Sequence, residues 1–430
     1  MAFFRSLLSG VKINWSPATH TPEAELSTQQ AHTSGDVSRW AERQRALADF
    51  YTRHRLLVHA LLVTLTWEFV AQLIGYLAVS IFPPSSDSPA FFQNHPAFQH
   101  ATYPLSLTMW ARWDGVWYVL LAAQGYAPQV NILDAFFPAF PGLIHVVGVL
   151  FGGNYLLAGV LVNRVLLLLT VMLFTQLVRE ESGDQAAKLA PLYFVLVPAA
   201  VFLLAVYTEV LFLLACVACF LAMRHQRWWL AGLCCALATA TRLPGIILAG
   251  AVLVEGIQQR QFWRGMGAAA MGLAGLAAYA FYLLVALRDP LAFQHAYKLG
   301  WGDRHFTLNV LAAPAQDILW LVTHWPWHGQ GAFITLSYVL ALVVDGILLL
   351  VMWRALRWSY RVFLLGNMLL PLLSGTLFAY NRYSLVLFPF LLVACRWTAT
   401  RPTLRQTVLL TMGCFSVLNI VLFTASYWVG

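Results

Sequence analysis

Charge is what this chain has least of. Only 10% of its 430 residues are charged and 60% are hydrophobic, where soluble domains carry roughly 25% charged residues. An ordinary soluble globule is therefore excluded. The chain also lacks a Gly-rich phosphate loop, a G-x-S-x-G elbow or an H-E-x-x-H helix in a fitting context, and it has no obvious soluble domain for binding a nucleotide sugar. Cysteine is scarce. All six cysteines (Cys216, Cys219, Cys234, Cys235, Cys395 and Cys414) fall in apolar stretches, whereas a disulfide framework places them in exposed loops. Cys216 and Cys219 have a metal-like spacing but no His or acid beside them, and read as inert buried thiols. The run Phe3, Phe4, Leu7, Leu8 is too short and interrupted for a secretory signal peptide.

What is present is apolar sequence almost end to end. Stretches long enough for the bilayer begin at 56–82 and continue as 136–151, 155–178, 188–206, 208–223, 228–241, 243–257, 266–287, 333–353, 361–379, 383–396 and 405–427. An all-α polytopic membrane protein follows, with about 11 to 12 crossings, since only helices or closed barrels satisfy the backbone in lipid. Residues 1–55 read as a partly disordered cytoplasmic tail, and 56–430 as one transmembrane catalytic domain with long external loops at about 83–135 and 288–332. The formal net charge of +8 is spread over small clusters between spans: Arg179/Lys188, Arg224/Arg227, Arg260/Arg264, Arg354/Arg357/Arg361 and Arg396/Arg401/Arg405. That pattern orients helices with these clusters inside, and no nucleic-acid surface is expected. Segment 136–151, with two prolines and Gly152-Gly153 after it, is expected not to cross completely, which makes eleven crossings the consistent number.

The exceptions to that topology point to chemistry. Arg112, Arg242, Arg288, Lys298, Arg304 and Arg382 fall on the external side, with Asp114, Glu209, Asp289, Asp303 and Asp317; Arg164 lies in mid-span. Asp114 stands among Trp113, Trp117 and Tyr118, where a carboxylate in partly dry surroundings suits a general base; capping a helix over Gly115–Ala123 is the alternative. Glu209, after Tyr207-Thr208, either orients a substrate hydroxyl or an Arg, or forms a structural ion pair with Arg242 or Arg382, because a lone acid in the membrane is costly. Arg242 and Arg382 suit a lipid phosphate, with snorkelling or a local ion pair as the other role. The second loop brings Gln294, His295, Lys298 and Trp301, with Arg304, His305, Trp320, His324, Trp325, Trp327 and His328. Its histidines match no zinc spacing, and its tryptophans suit either an interfacial belt or an acceptor entrance.

Arg112-Trp113-Asp114 with Trp117-Tyr118 and Gly125-Tyr126, then Phe136-Phe137-Pro138 and Phe140-Pro141, resembles the first signature of PIG-V-type mannosyltransferases, in the GT-C class of membrane glycosyltransferases. Tyr207-Thr208-Glu209-Val210-Leu211-Phe212, Ala240-Thr241-Arg242 with Gly245, then Pro290, Phe293, Gln294 and Trp301, and Arg382-Tyr383 leading to Phe388-Pro389, are similar to later family stretches in the same order. Leu243-Pro244 departs from the pattern after that Arg. The resemblance implies a GT-C-like fold and transfer of mannose from a dolichyl- or polyprenyl-phosphate donor to a lipid-linked glycan such as a glycosylphosphatidylinositol precursor. It implies a site on the non-cytoplasmic face, in the endoplasmic reticulum or, for a prokaryotic relative, the plasma membrane. Asp114 and Glu209 are then the catalytic acids; Arg112, Arg242, Arg382 and Lys298 meet the donor phosphate; Trp113, Trp117, Tyr118, Tyr207, Gln294, His295 and Trp301 meet sugar or acceptor. No cofactor is needed, a divalent metal is not expected, and a partner subunit is undetermined. A lipid or sugar transporter is the competing class, but its usual paired halves with matching interrupted helices are not evident.

Overall fold

The computed structural model describes residues 54–82, 103–302 and 306–430, and these residues are helical with no strand among them. Residues 1–53 of the tail, residues 83–102 of the first loop, and Asp303, Arg304 and His305 lie outside the described residues.

Five helices are long and apolar enough to cross a bilayer: α1 (His54–Ile81), α4 (Tyr155–Ala187), α8 (Phe262–Leu287), α11 (Gly329–Met352) and α15 (Pro402–Thr424). Between them stand α2 (Asp114–Gln124), α3 (Ala139–Leu150), α5 (Glu209–Arg224), α6 (Trp228–Thr241), α7 (Gly245–Gln258), α9 (Ala292–Trp301), α10 (Ala312–Thr323), α12 (Trp358–Leu373), α13 (Tyr380–Ser384) and α14 (Pro389–Thr398). Several predicted spans are thus shorter as helices than as apolar runs. The run 188–206 breaks around Pro198 into Ala190–Val195 and Val201–Leu204, because proline removes a helical donor and clashes with the preceding turn. The 12 residues of α3 rise only about 18 Å, short of a roughly 30 Å hydrocarbon layer.

Direction along the helices positions the site. Glu209 opens α5, Arg224 closes it, and α6 runs back to Thr241, so Arg242 returns to the Glu209 end. The sharp turn at Leu243-Pro244 then starts α7. Gly245 has no room there for a side chain, since a Cβ would stand 2.5 Å from Thr239 N and 2.6 Å from Ala238 C.

Small residues set the helix spacing, as expected where lipid supplies no hydrophobic drive between helices. Gly256 of α7 and Gly265 of α8 approach so closely that a Cβ on either would lie 2.7 Å from the other's Cα. At Gly275 of α8 a Cβ would meet Ala236 O at 2.0 Å and Thr239 Oγ1 at 2.6 Å in α6. Gly275→Leu is therefore expected to destabilise the protein by about 1–3 kcal/mol or more through overpacking, read as a lower melting temperature in detergent. An unchanged melting temperature would show that the two helices can separate freely.

At the other end of α5, a polar network explains acids that the apolar pattern leaves unexplained. Arg224 donates to Glu181 Oε1 (2.7 Å) and to Glu255, which Ser359 Oγ (2.5 Å) and Gln259 Nε2 (2.8 Å) also contact; Tyr360 OH donates to Glu181 (2.6 Å). Arg224, read from sequence as an orienting charge, is thus also an interior tie between α4, α5, α7 and α12. Cys216, Cys219, Cys235 and Cys395 are buried and unpaired with one another.

Candidate active site

Asp114 is the first residue of α2, and Trp113 takes the cap position before it with φ 53° and ψ −121°. Backbone of that kind costs about 1–3 kcal/mol in a residue other than Gly and persists only where its surroundings over-determine it. The surroundings are tight. Trp110 is fully buried; its carbonyl accepts Val206 N–H at 2.8 Å and its indole N–H donates to Gln72 Oε1 at 2.7 Å. Arg164 Nη2 donates to the same oxygen at 3.1 Å and stacks over Trp110, while Tyr207 OH donates to the Arg112 carbonyl at 3.1 Å. The mid-span Arg164 is therefore held by Gln72 of α1 and by an aromatic face. Glu68, one turn away on α1, lies within its electrostatic reach.

The carboxylate of Asp114 does not cap its own helix. Its Oδ2 accepts from Arg382 Nη1 at 2.7 Å, across 268 residues of sequence. Arg382 Nε lies 2.9 Å from Glu209 Oε1, an ion-pair distance, although the N–H does not point along it. The same Glu209 oxygen accepts from Arg242 Nη1 at 2.7 Å. Two carboxylates and two guanidiniums thus alternate in a chain, Asp114, Arg382, Glu209, Arg242, whose formal charges cancel. Burial makes that balance necessary: Glu209 is 0% exposed and the other three 8–9%, and a buried charge without its partner is strongly destabilising. The guanidiniums also stack on aromatic faces, Arg382 over Tyr207 and Phe202, Arg242 over Phe212 and Tyr383.

This chain of charges opens into a cavity of about 520 Å³, within the 300–1,000 Å³ range common for small-molecule sites. Asp114, Tyr118, Arg242 and Arg382 form part of its wall; Gln294, His295, Lys298 and Trp301 of α9 form another. Of the residues singled out in the sequence, these eight come together around one hollow. Arg112, Trp113, Trp117, Tyr207 and Glu209 are not among its lining residues, and Glu209 and Tyr207 stand behind the wall as supports. Sequence reasoning missed Thr241, Tyr297, Pro371, Ser374 and Tyr383, which also line it. Thr241 and Tyr383 were quoted only as neighbours of Arg242 and Arg382. Pro371 and Ser374 end an apolar helix and carry no local signal of chemistry.

Just before α9, Asp289 Oδ1 accepts Leu291 N–H at 2.9 Å and Oδ2 meets His295 Nδ1 at 2.6 Å. The Leu291 N–H first, and His295 with it, hold the Asp289 carboxyl below the usual aspartate range. Both carboxylate oxygens are thereby engaged, and the contact fixes which imidazole nitrogen remains for a ligand. Among the described residues no three His, Cys, Asp or Glu side chains are grouped so as to hold a metal ion.

A family model for mannosyltransferase (PIG-V) matches residues 45–299. Two curated relatives, both GPI alpha-1,6-mannosyltransferase 2, are 34% identical over 158 residues in Cricetulus griseus and 33% identical over 158 residues in Mus musculus. Each match covers 33% of this chain and 31% of the relative, so the likeness spans about a third of those proteins. Among solved structures, the Archaeoglobus fulgidus oligosaccharyltransferase, in a complex with Zn and sulfate, aligns with a TM-score of 0.42 and 12% identity. That alignment covers 85% of this chain and 53% of the other.

Proposed function

This chain belongs to the mannosyltransferase (PIG-V) family, and from that footing we propose that it is an integral-membrane enzyme transferring mannose from a dolichyl- or polyprenyl-phosphate to a hydroxyl of a lipid-linked glycan. The observation that carries this reading is the shared cavity wall, where one acid and three cations from distant parts of the chain meet: Asp114, Arg242, Lys298 and Arg382.

Their roles follow from which atoms are engaged. Asp114 Oδ2 is taken by Arg382, which leaves Oδ1 to accept the proton of the acceptor hydroxyl as its oxygen attacks the anomeric carbon of the donor. The bond from that carbon to the phosphate oxygen breaks on the opposite side, and the lipid phosphate leaves with the electron pair. The configuration inverts. Arg242 and Lys298 meet the charge that develops on the departing phosphate, the kind of preorganised stabilisation that is usually a large share of catalysis. Arg382 keeps Asp114 oriented, and Glu209 holds the two guanidiniums apart and in place. Tyr118, Gln294, His295 and Trp301 contact the sugars, by aromatic faces and by amide and imidazole hydrogen bonds. No metal or nucleotide is given a role, so a chelator should leave turnover unchanged. The glycosylphosphatidylinositol precursor is the acceptor class that the relatives suggest, and the cavity faces the non-cytoplasmic side of the endoplasmic reticulum or plasma membrane.

Purified protein incubated with radiolabelled polyprenyl-phosphate mannose and a membrane lipid extract should consume the donor and label a lipid product. Donor left intact would instead favour a transporter. Arg242→Ala should raise the KM for donor about tenfold or more, the scale of one charge-assisted contact worth roughly 1.5–3 kcal/mol, while the KM for acceptor changes little. Equal effects on both substrates would assign Arg242 to structure alone.

A further inference from the structure

The Asp114–Arg382 contact joins residues 268 positions apart, and each lies just after a residue with positive φ. Trp113, just before Asp114, has left-handed backbone with φ 53°, and Ala379, which opens the five-residue α13 carrying Arg382, has φ 65°. The contacts around Trp110 hold the first segment to its own surroundings, and a further tie is needed to hold the two segments to each other.

Residues 426–430 make that connection. Ser426, with φ 68°, turns the chain out of α15 and sends Trp428 between the two segments. The Trp428 ring stands edge-on to Trp113 (centroids 5.3 Å apart, 77°) and stacks on Phe378 (5.5 Å, 14°), one residue before Ala379. Its indole N–H donates to Tyr338 OH at 2.9 Å, and its carbonyl accepts from Gln330 Nε2 at 3.3 Å, both in α11. The next carbonyl, that of Val429, accepts from Asn381 Nδ2, beside Arg382. A Cβ on Gly430 would lie 2.3 Å from Phe202 Cζ and 3.3 Å from Arg382 Cβ, so the segment passes directly under the guanidinium-bearing turn. Trp428 does not line the cavity.

We propose that Trp428 is a positioning residue: it clamps the Trp113–Asp114 segment to the Phe378–Arg382 segment, and so sets the geometry of the pair that the proposed transfer uses. This deepens the reading of that pair as the reacting centre and rests on it. The chemistry is sensitive to such a clamp, because displacement of a reacting group by about 1 Å can cost on the order of 100-fold in rate.

The test uses the full chain in detergent, with one readout that needs no activity. In hydrogen exchange, Trp428→Ala should speed exchange about tenfold in both peptides 110–118 and 377–385, with 210–223 unchanged, since local opening free energies differ between units of one fold. Acceleration in only one of the two peptides, or in neither, overturns the clamp. In the kinetic arm, kcat per donor-binding site should fall at least tenfold in Trp428→Ala, with the KM for donor within twofold. Trp428→Phe, which keeps both ring contacts, should recover most of the kcat. A folded Trp428→Ala with kcat within twofold of the parent also overturns it. If Trp428→Ala does not accumulate, Tyr338→Phe decides: faster exchange in both peptides supports the clamp, and parent-like exchange removes it. A parent protein without transferase activity sinks the functional reading while leaving the exchange result to judge the clamp.

Discussion

Asp114→Asn is expected to abolish detectable transfer, a loss of at least about 100- to 10,000-fold, the usual range for a positioned general base. The substitution is nearly isosteric, the amide oxygen can still accept from Arg382 Nη1, and Arg382 keeps Glu209 at 2.9 Å, so the protein should insert and elute as the parent does and lose less melting temperature than a Glu209 variant. What it removes is the negative charge and the proton acceptor at the cavity edge. Donor binding should persist, because Arg242 and Lys298 are untouched and the local charge becomes more positive toward an anionic phosphate. The measurement is mannose transfer beside equilibrium donor binding on the same preparation. Full activity in that variant would remove Asp114 from the role of base and leave the cavity without an exposed acid from the charge chain.

Glu209→Gln should behave differently, although both substitutions remove one carboxylate from the same chain of charges. Glu209 is fully buried and its Oε1 serves both Arg242 and Arg382, so the neutral amide leaves two guanidiniums in a dry site with Asp114 alone to balance them. Breaking a buried pair in this way costs about 3–5 kcal/mol, and the expected result is a lower melting temperature together with lost activity. Glu209→Gln combined with Arg242→Met restores the charge balance and should recover much of the stability without recovering donor use. A Glu209→Gln protein that melts like the parent would mean that the two arginines do not depend on Glu209. The contrast between the variants separates an acid that touches substrate from one that holds the machinery.

The charge chain also explains why the ion-pair role considered for Arg242 and Arg382 leaves room for a ligand contact. Each forms a local ion pair, and each lines the cavity. A guanidinium has several donors in a planar fork, so one face can satisfy a carboxylate while another reaches a ligand. Those two alternatives, drawn from the sequence as rivals, are compatible in three dimensions.

Much of this was legible in the chain itself, for a physical reason. A bilayer demands contiguous apolar residues and forbids unsatisfied backbone, so α1, α4, α8, α11 and α15 could be read directly, and 228–241 and 243–257 agree closely with α6 and α7. The same intolerance of charge made Asp114, Glu209, Arg242, Lys298 and Arg382 conspicuous, because an ionisable group among such neighbours needs a partner or a task. What hydropathy cannot encode is pairing between residues far apart, or which side of a wall a side chain occupies. Only the folded chain brings Arg382 to Asp114, puts Glu209 behind the cavity rather than in it, breaks 188–206 at Pro198, and brings Trp428 against Trp113 and Phe378. Those outcomes depend on helix direction, on close approaches at glycines such as Gly245 and Gly275, and on packing between distant segments, none of which leaves a periodic mark in the amino-acid order.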